Sequence, residues 1–262
     1  MDNLIIGNTS QLSYYFPKNY ERISSRNIDY EYLLSKKWNT IFICFGESRK
    51  FINNVNIHDD INFNLTIDVI NKVKSLADRV IIYSSCELWN KYDGQIDINM
   101  KFDFFKSNYT MSKYKISEFI LNNHIEYKNV FIMYPFNFNS VYRTTDFLFG
   151  KIFDSIINKK QIEIGDTYFY RDIIHPKHVV EESISSKGHK IIGSGRLTFV
   201  NDFIRDLYNF FNLNFEDYVT EEVGNYNEYS RRNEYYLRSK TCKYSYEELL
   251  KDTINDIKNK IK

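Results

Sequence analysis

Four short apolar runs recur through the first half of the chain, and stretches with helical spacing lie between them. The runs are Asn3–Ile6 (NLII), Thr40–Phe45 (TIFICF), Arg79–Ser84 (RVIIYS) and Val130–Tyr134 (VFIMY). Near-continuous apolar runs of this length suit strands buried on both faces, as in a parallel sheet covered by helices. Tyr20–Ser24 is a fifth candidate strand. Ser10–Phe16 can start a helix that ends near Pro17, and Ile61–Ala77 carries Ile61, Leu65, Val69, Ile70, Val73 and Leu76 at helical spacing. Tyr109–Leu121 is helical again, with Met111, Tyr114, Ile116, Phe119 and Ile120 available for packing. Such alternation predicts βαβ units and a doubly wound α/β sheet. The later half is less regular. Helices are predicted over Thr145–Asn158, Val200–Phe211 and Tyr246–Ile261, with short strands at Gln161–Ile164 and Lys190–Ile192. The parse is one sheet domain over residues 1–140 and a smaller lobe over 141–262, some of whose segments return to the first core.

Composition narrows the function classes. The 35 Lys+Arg and 34 Asp+Glu nearly cancel, leaving a net charge of +1, which argues against a nucleic-acid or anionic-membrane surface. With 43% hydrophobic and 26% charged residues the 262-residue chain is globular rather than disordered. Cys44, Cys86 and Cys242 are far apart, so neither a disulfide framework nor a zinc site is expected. No run approaches the ~18–20 apolar residues of a membrane helix, and the first residues do not read as a secretory leader. A soluble, cytoplasmic protein is expected. The 22 Tyr and 21 Phe fit an AT-rich codon bias, so a tyrosine alone is no signal.

Chemistry begins at the turn after the first run, Gly7-Asn8-Thr9-Ser10-Gln11-Leu12-Ser13. A strand, a glycine turn and a helix start present free amides and a helix dipole to an anion. A dinucleotide fingerprint would place glycine at positions 7, 10 and 13, and only Gly7 is present. Ser24-Ser25-Arg26 ends the second strand, where an arginine suits the 2′-phosphate of NADP; a solvated loop arginine is the plainer reading. The most informative pattern is Tyr109-Thr110-Met111-Ser112-Lys113, preceded by Ser84-Ser85 at a strand end. Positions 109 and 113 share one helix face. An ammonium beside a phenol is expected to draw its pKa down from ~10, making Tyr109 an acid/base, while Ser85 holds a substrate oxygen.

Here the sequence resembles the extended short-chain dehydrogenase/reductase family of nucleotide-sugar epimerases, dehydratases and ketoreductases, over nearly its whole length. Leu4–Ser13 is similar to the opening of its keto-sugar reductases, with Ser10 and Ser13 replacing glycines. Ile82-Tyr83-Ser84-Ser85-Cys86-Glu87-Leu88-Trp89 resembles the family's Ser-Ser-x-x-Val-Tyr strand end. Tyr109–Lys113 resembles its Tyr-x-x-Ser-Lys helix, and Pro135-Phe136-Asn137 its Pro-Phe-Asn segment. Arg171-Asp172-Ile173-Ile174-His175 resembles its Arg-Asp-x-x-His segment, and Arg231-Arg232 falls where a second diphosphate arginine often stands. Trp89-Asn90 and Pro176-Lys177-His178 depart from the pattern.

The resemblance implies a Rossmann-type doubly wound parallel sheet with a small C-terminal α/β substrate lobe. It implies Ser85, Tyr109 and Lys113 as catalytic residues. It implies NADP, with NAD as the alternative, bound by Gly7, Thr9, Ser10, Gln11, Leu12, Ser24, Ser25, Arg26, Lys113 and Tyr134. Cys86, Glu87, Asn137, Arg171 and Arg232 would bind a nucleotide sugar, and a homodimer would form through the helices at Ile61–Ala77 and Tyr109–Leu121. The expected activity is reduction of a keto sugar for surface polysaccharide. An epimerase or 4,6-dehydratase, or a non-catalytic dinucleotide-binding protein, are the alternatives. His58, His124 and His189 sit in polar contexts and read as surface, His175 as a structural hydrogen-bonder, and Cys44 as core.

Overall fold

The computed structural model describes residues 2–52, 54–222 and 236–261. They form two compact units: 1–91, 98–135 and 180–192 make the first, and 92–97, 136–179 and 193–262 the second. The division falls inside the helix Pro176–Ser185.

The first unit is built on a six-stranded sheet. Its strands include β1 (Asp2–Ile6), β2 (Glu21–Ile23), β3 (Trp38–Ile43) and β4 (Ala77–Tyr83). Val130–Pro135 and Lys190–Ile192 complete it, in the spatial order 190–192, 130–135, β4, β3, β1, β2. All five pairings are parallel. Leu4, Ile5, Ile41, Phe42, Val80 and Ile81 are completely buried, which is why their runs are continuous rather than alternating. Chain order reverses at β1: β2 lies on one side and β3 on the other. Open α/β sheets bind ligands beyond the carboxyl ends of the strands at such a switch point.

Four helices of this unit matter here: α1 (Tyr30–Leu34), α2 (Val55–Asp59), α3 (Thr66–Val73) and α4 (Asn108–Asn122). A π-helical stretch, Asp60–Leu65, joins α2 to α3. The extra residue per turn rotates the buried face. His58, Asn62, Thr66, Val69, Ile70 and Val73 point inward, while Ile61 and Leu65, expected in the core, are only half-buried. His58 is fully buried and not on the surface as expected. His189 is partly buried and its Nδ1 accepts from the Ile132 amide at 3.1 Å, whereas His124 is exposed.

The helix expected over Ser10–Phe16 is also absent; only a 3₁₀ turn, Ser13–Tyr15, forms. A serine side chain competes for the Ser10 carbonyl that a helix would use, and an arginine ties up the carbonyls that follow. The Ser13 hydroxyl donates to the Asn8 and Ser10 carbonyls at 2.8 and 2.6 Å. The Arg22 guanidinium donates to those of Phe16, Pro17 and Tyr20 at 3.1, 3.1 and 2.7 Å.

In the second unit, Asn137–Phe138, Tyr170–Ile174 and Leu197–Phe199 form a small mixed sheet. The helices Leu148–Asn158, Val200–Phe210 and Tyr246–Ile261 share a core that includes Ile152, Phe153, Phe203, Ile204, Leu207 and Ile257. The first of these starts at Leu148 and not Thr145, because the Thr144 carbonyl sits against Gly150, only 1.9 Å from where a Cβ would be. Asp172 is buried and accepts from the amides of Ser194, Gly195 and Ser239 at 2.7, 3.0 and 2.9 Å. Its carboxylate thereby organises the Gly193-Ser194-Gly195 turn. Among the described residues no helix is long and apolar enough to cross a membrane.

Candidate active site

The carboxyl ends of the parallel strands gather most of the residues singled out in the first unit. Gly7 leaves β1 with φ +105°, and a Cβ there would stand 3.0 Å from the Phe45 amide nitrogen of the chain leaving β3. Only glycine suits both the backbone angle and that close approach. The Gly7 and Asn8 amides donate to the Ile23 carbonyl, so the turn is laced to the end of β2 and places Ser24, Ser25 and Arg26 beside it. Within the turn, Ser10 donates to the Gly7 carbonyl and Ser13 to that of Ser10. These bonds leave the Thr9, Gln11 and Leu12 amides without a backbone acceptor among the described residues. Three such donors beside an exposed Arg26 suit a polyphosphate with a ribose phosphate, and so the group that the sequence implied. Because no full helix follows, the macrodipole expected there is missing. Ser13 is buried and satisfied within the turn, while the Leu12 side chain belongs to the core.

The second cluster stands on β4 and α4. Ser107 and Thr110 form a reciprocal capping box, with 3.1 and 2.8 Å bonds, that starts α4 two residues before Tyr109. The Ser84 and Ser117 hydroxyls donate to the Lys113 carbonyl at 3.3 and 2.8 Å, holding the helix against the end of β4. Ser85 accepts from the Glu87 amide at 3.2 Å and so caps the short turn Cys86–Trp89. Its hydroxyl pulls the Tyr109 phenol toward the phenolate.

Electrostatics at this cluster differ from the sequence expectation. Burial pushes the Tyr109 phenol above its ordinary pKa, against the opposing pulls of Ser85 and Lys50. Lys113 does not draw it down: its Nζ donates to the Tyr83 carbonyl at 2.9 Å and lies 6.0 Å from the Tyr109 ring centre. Burial without a carboxylate partner lowers Lys113 itself to about 8. Tyr109 is therefore arranged to hold its proton in the ligand-free protein.

Sequence reasoning missed several residues around this cluster. Asn62 accepts from the Glu47 amide at 2.8 Å and donates to the Glu47 carbonyl and the Ser112 hydroxyl at 3.0 and 2.9 Å. It thus ties the loop after β3 to α4. Gly46 lies so close that a Cβ would be 3.0 Å from Asn62 Oδ1 and 3.3 Å from Lys113 Nζ. Lys50 reaches Glu87 with a 2.8 Å ion pair, and His58 packs edgewise on Tyr109. The findable signal was His58, Asn62 and Thr66 spaced by four, in line with the apolar face of α3.

Other expected site residues lie elsewhere. Tyr134 is fully buried against Trp89 and Phe102, so its side chain is core rather than a cofactor contact. Cys86 is buried, and Glu87 is held by Lys50 and Asn90. Asn137 is exposed in the second unit. Arg171, also there, donates to the Tyr170 carbonyl at 2.7 Å and lies over the Phe169 ring. His175 is a hydrogen-bonder, with Nε2 3.1 Å from Asp256. Arg231 and Arg232 lie outside the described residues.

No protein-family model matches the sequence, and no curated protein matches it either. Solved structures do. RMD from Pseudomonas aeruginosa, complexed with NADPH, superposes with a TM-score of 0.77 at 12% identity, over 99% of this chain and 100% of that one. The UDP-N-acetylglucosamine 4-epimerase from Methanobrevibacter ruminantium M1, in complex with UDP-N-acetylmuramic acid, gives 0.78 at 13%, over 99% and 98%. The dTDP-glucose 4,6-dehydratase from Bacillus anthracis str. Ames, in complex with NAD, gives 0.75 at 14%, over 99% and 97%. Across its whole length the chain has the Rossmann-type fold of these nucleotide-sugar and NAD(P)-binding proteins.

Proposed function

We propose that the protein reduces a keto group on a nucleotide-linked sugar with NADPH, NAD(H) being the alternative cofactor, in the synthesis of surface polysaccharide. What supports this reading is the proximity of three residues at the carboxyl edge of a parallel sheet whose switch point holds the Gly7 turn: Lys113 Nζ is 6.0 Å from the Tyr109 ring, and Ser85 favours the Tyr109 phenolate. The similar RMD structure contains NADPH. When bound, the cofactor would supply a hydride to the carbonyl carbon. Thr9, Gln11 and Leu12 amides, with Ser10, would hold its diphosphate; Ser24, Ser25 and Arg26 would hold the ribose phosphate. Ser85 orients the substrate oxygen, and Tyr109, which holds its proton, delivers it as that oxygen becomes an alkoxide. Lys113 would bind the ribose hydroxyls. Cys86, in the first unit, would stand at the substrate.

Two observations favour net reduction over the other reactions. A 4,6-dehydratase needs a free base and acid beside the catalytic hydroxyl, but Cys86 is a thiol and Glu87 is tied to Lys50 and Asn90. An epimerase keeps its cofactor through two half-reactions, whereas this phosphate turn lacks a helix dipole and two glycines, which suits an exchangeable cofactor. The test is to supply nucleotide-linked keto sugars with stoichiometric NADPH. One NADPH consumed per alcohol formed supports the reading; turnover of a non-keto nucleotide sugar without net cofactor change overturns it.

A further inference from the structure

Two ammonium groups stand near the Tyr109 ring. Lys113 Nζ is 6.0 Å from the ring centre, and Lys50 Nζ, on the loop that follows β3, is 5.8 Å from it. Lys50 is half-exposed, and a 2.8 Å ion pair with Glu87 anchors it. Glu87 belongs to the turn that Ser85 caps, and its other oxygen accepts from Asn90 Nδ2 at 3.0 Å. One carboxylate thus fixes a cation beside the phenol and ties it to the segment carrying the catalytic hydroxyl. The remaining charged and titratable neighbours of the phenol are Cys86 and the buried His58.

We propose that Lys50 is an electrostatic partner of Tyr109, a positioning residue that Glu87 holds in place and that stabilises the phenolate. The proposal rests on the reading of Tyr109 as the proton donor. Its logic follows from the environments of the two lysines. Lys113 is desolvated, titrates near about 8, and is committed to the Tyr83 carbonyl. At alkaline pH it loses its charge. Lys50 keeps its charge there, because the Glu87 carboxylate paired with it raises its pKa despite the opposing effect of burial. When Tyr109 gives up its proton, Lys50 is the cation that remains.

The effect is measurable without substrate or cofactor. With 3,5-difluorotyrosine at position 109, the electron-poor ring titrates at lower pH and gives a single fluorine NMR signal. A unit charge about 6 Å away, in an environment between protein surface and water, moves a pKa by about 0.5–2 units. Lys50→Met should therefore raise the pKa at position 109 by that amount, and Lys50→Arg should restore most of it. An unchanged pKa in Lys50→Met, or no recovery in Lys50→Arg, overturns the proposal. Lys50 is exposed, so its replacement leaves the fold intact, which circular dichroism checks. If no keto sugar is turned over, the functional reading fails while the phenol titration still reports on Lys50.

Discussion

Tyr109 and Lys113 differ in what they contribute to the molecule. In the proposed mechanism Tyr109 delivers the proton, so Tyr109→Phe should leave cofactor affinity within about twofold and reduce turnover by on the order of 10²–10⁴. Binding titration and steady-state rates check this, and retention of most of the rate would remove Tyr109 from the mechanism. Lys113 works against folding. Burial moves its pKa from 10.5 to about 8, so the folded protein binds that proton more weakly than the unfolded chain. The resulting penalty is full below pH 8 and fades as pH rises from about 8 to 10.5. A shift of this size corresponds to roughly 3 kcal/mol. Lys113→Met removes the penalty but also the bond to the Tyr83 carbonyl, worth about 1 kcal/mol. The variant should thus be more stable by about 1–3 kcal/mol at pH 7, with a smaller gain at pH 10, and be inactive. Urea unfolding at the two pH values measures it, and a wild type more stable than the variant at pH 7 would contradict the desolvation argument.

Among the elements, the central strands were readable because burial on both faces leaves an uninterrupted apolar signature. Thr40–Phe45 and Arg79–Ser84 lie within two residues of β3 and β4 at each end. Ser85, Tyr109 and Lys113 were readable for a related reason: their spacing depends on one strand end and one helix start, both marked locally. The segment after β1 was not. Ser10–Phe16 has a helical pattern, but the Ser13 hydroxyl competes for the Ser10 carbonyl, and Arg22 holds the Phe16, Pro17 and Tyr20 carbonyls only when β2 folds back. Hydrophobic periodicity likewise missed His58 and Asn62, since buried polar residues on a helix face look like solvent-facing ones until the π-helical turn is known. Lys50 lies in a loop with no pattern at all. In the proposed mechanism the same β1–β2 region would carry cofactor choice. Arg26 is exposed at the end of β2, and its amide bonds the Ser24 hydroxyl at 3.1 Å, leaving the guanidinium to solvent or a phosphate. Charge-assisted bonds to a 2′-phosphate would be lost in Arg26→Ala, weakening NADPH binding by about tenfold or more and NADH binding by much less. Fluorescence titration with both cofactors decides it; equal losses would mean that Arg26 does not read the phosphate.

At the scale of the whole molecule the prediction is self-association. The segment from α2 through α3 packs on α4: Phe63 meets Phe119 at 5.9 Å, and Asp59 pairs with Lys115. The π-helical turn directs the polar residues His58, Asn62 and Thr66 inward, so Ile61, Leu65 and Ile67 are displaced toward the outside and remain half-buried. Met111 and Leu121 on α4 are half-buried too. A polar catalytic interior thus leaves both helices with apolar side chains that their own unit does not fully cover. Burying them against the same helices of a second copy would form a symmetric four-helix contact, and a stable interface needs about 800 Å² from each partner. Light scattering at micromolar concentration should give twice the 31.6 kDa chain mass. Leu121→Lys places a charge in that contact and should shift the mass toward the monomer while the helix content stays unchanged. A wild-type protein that is monomeric under these conditions would show that the half-buried stripe serves its own unit alone.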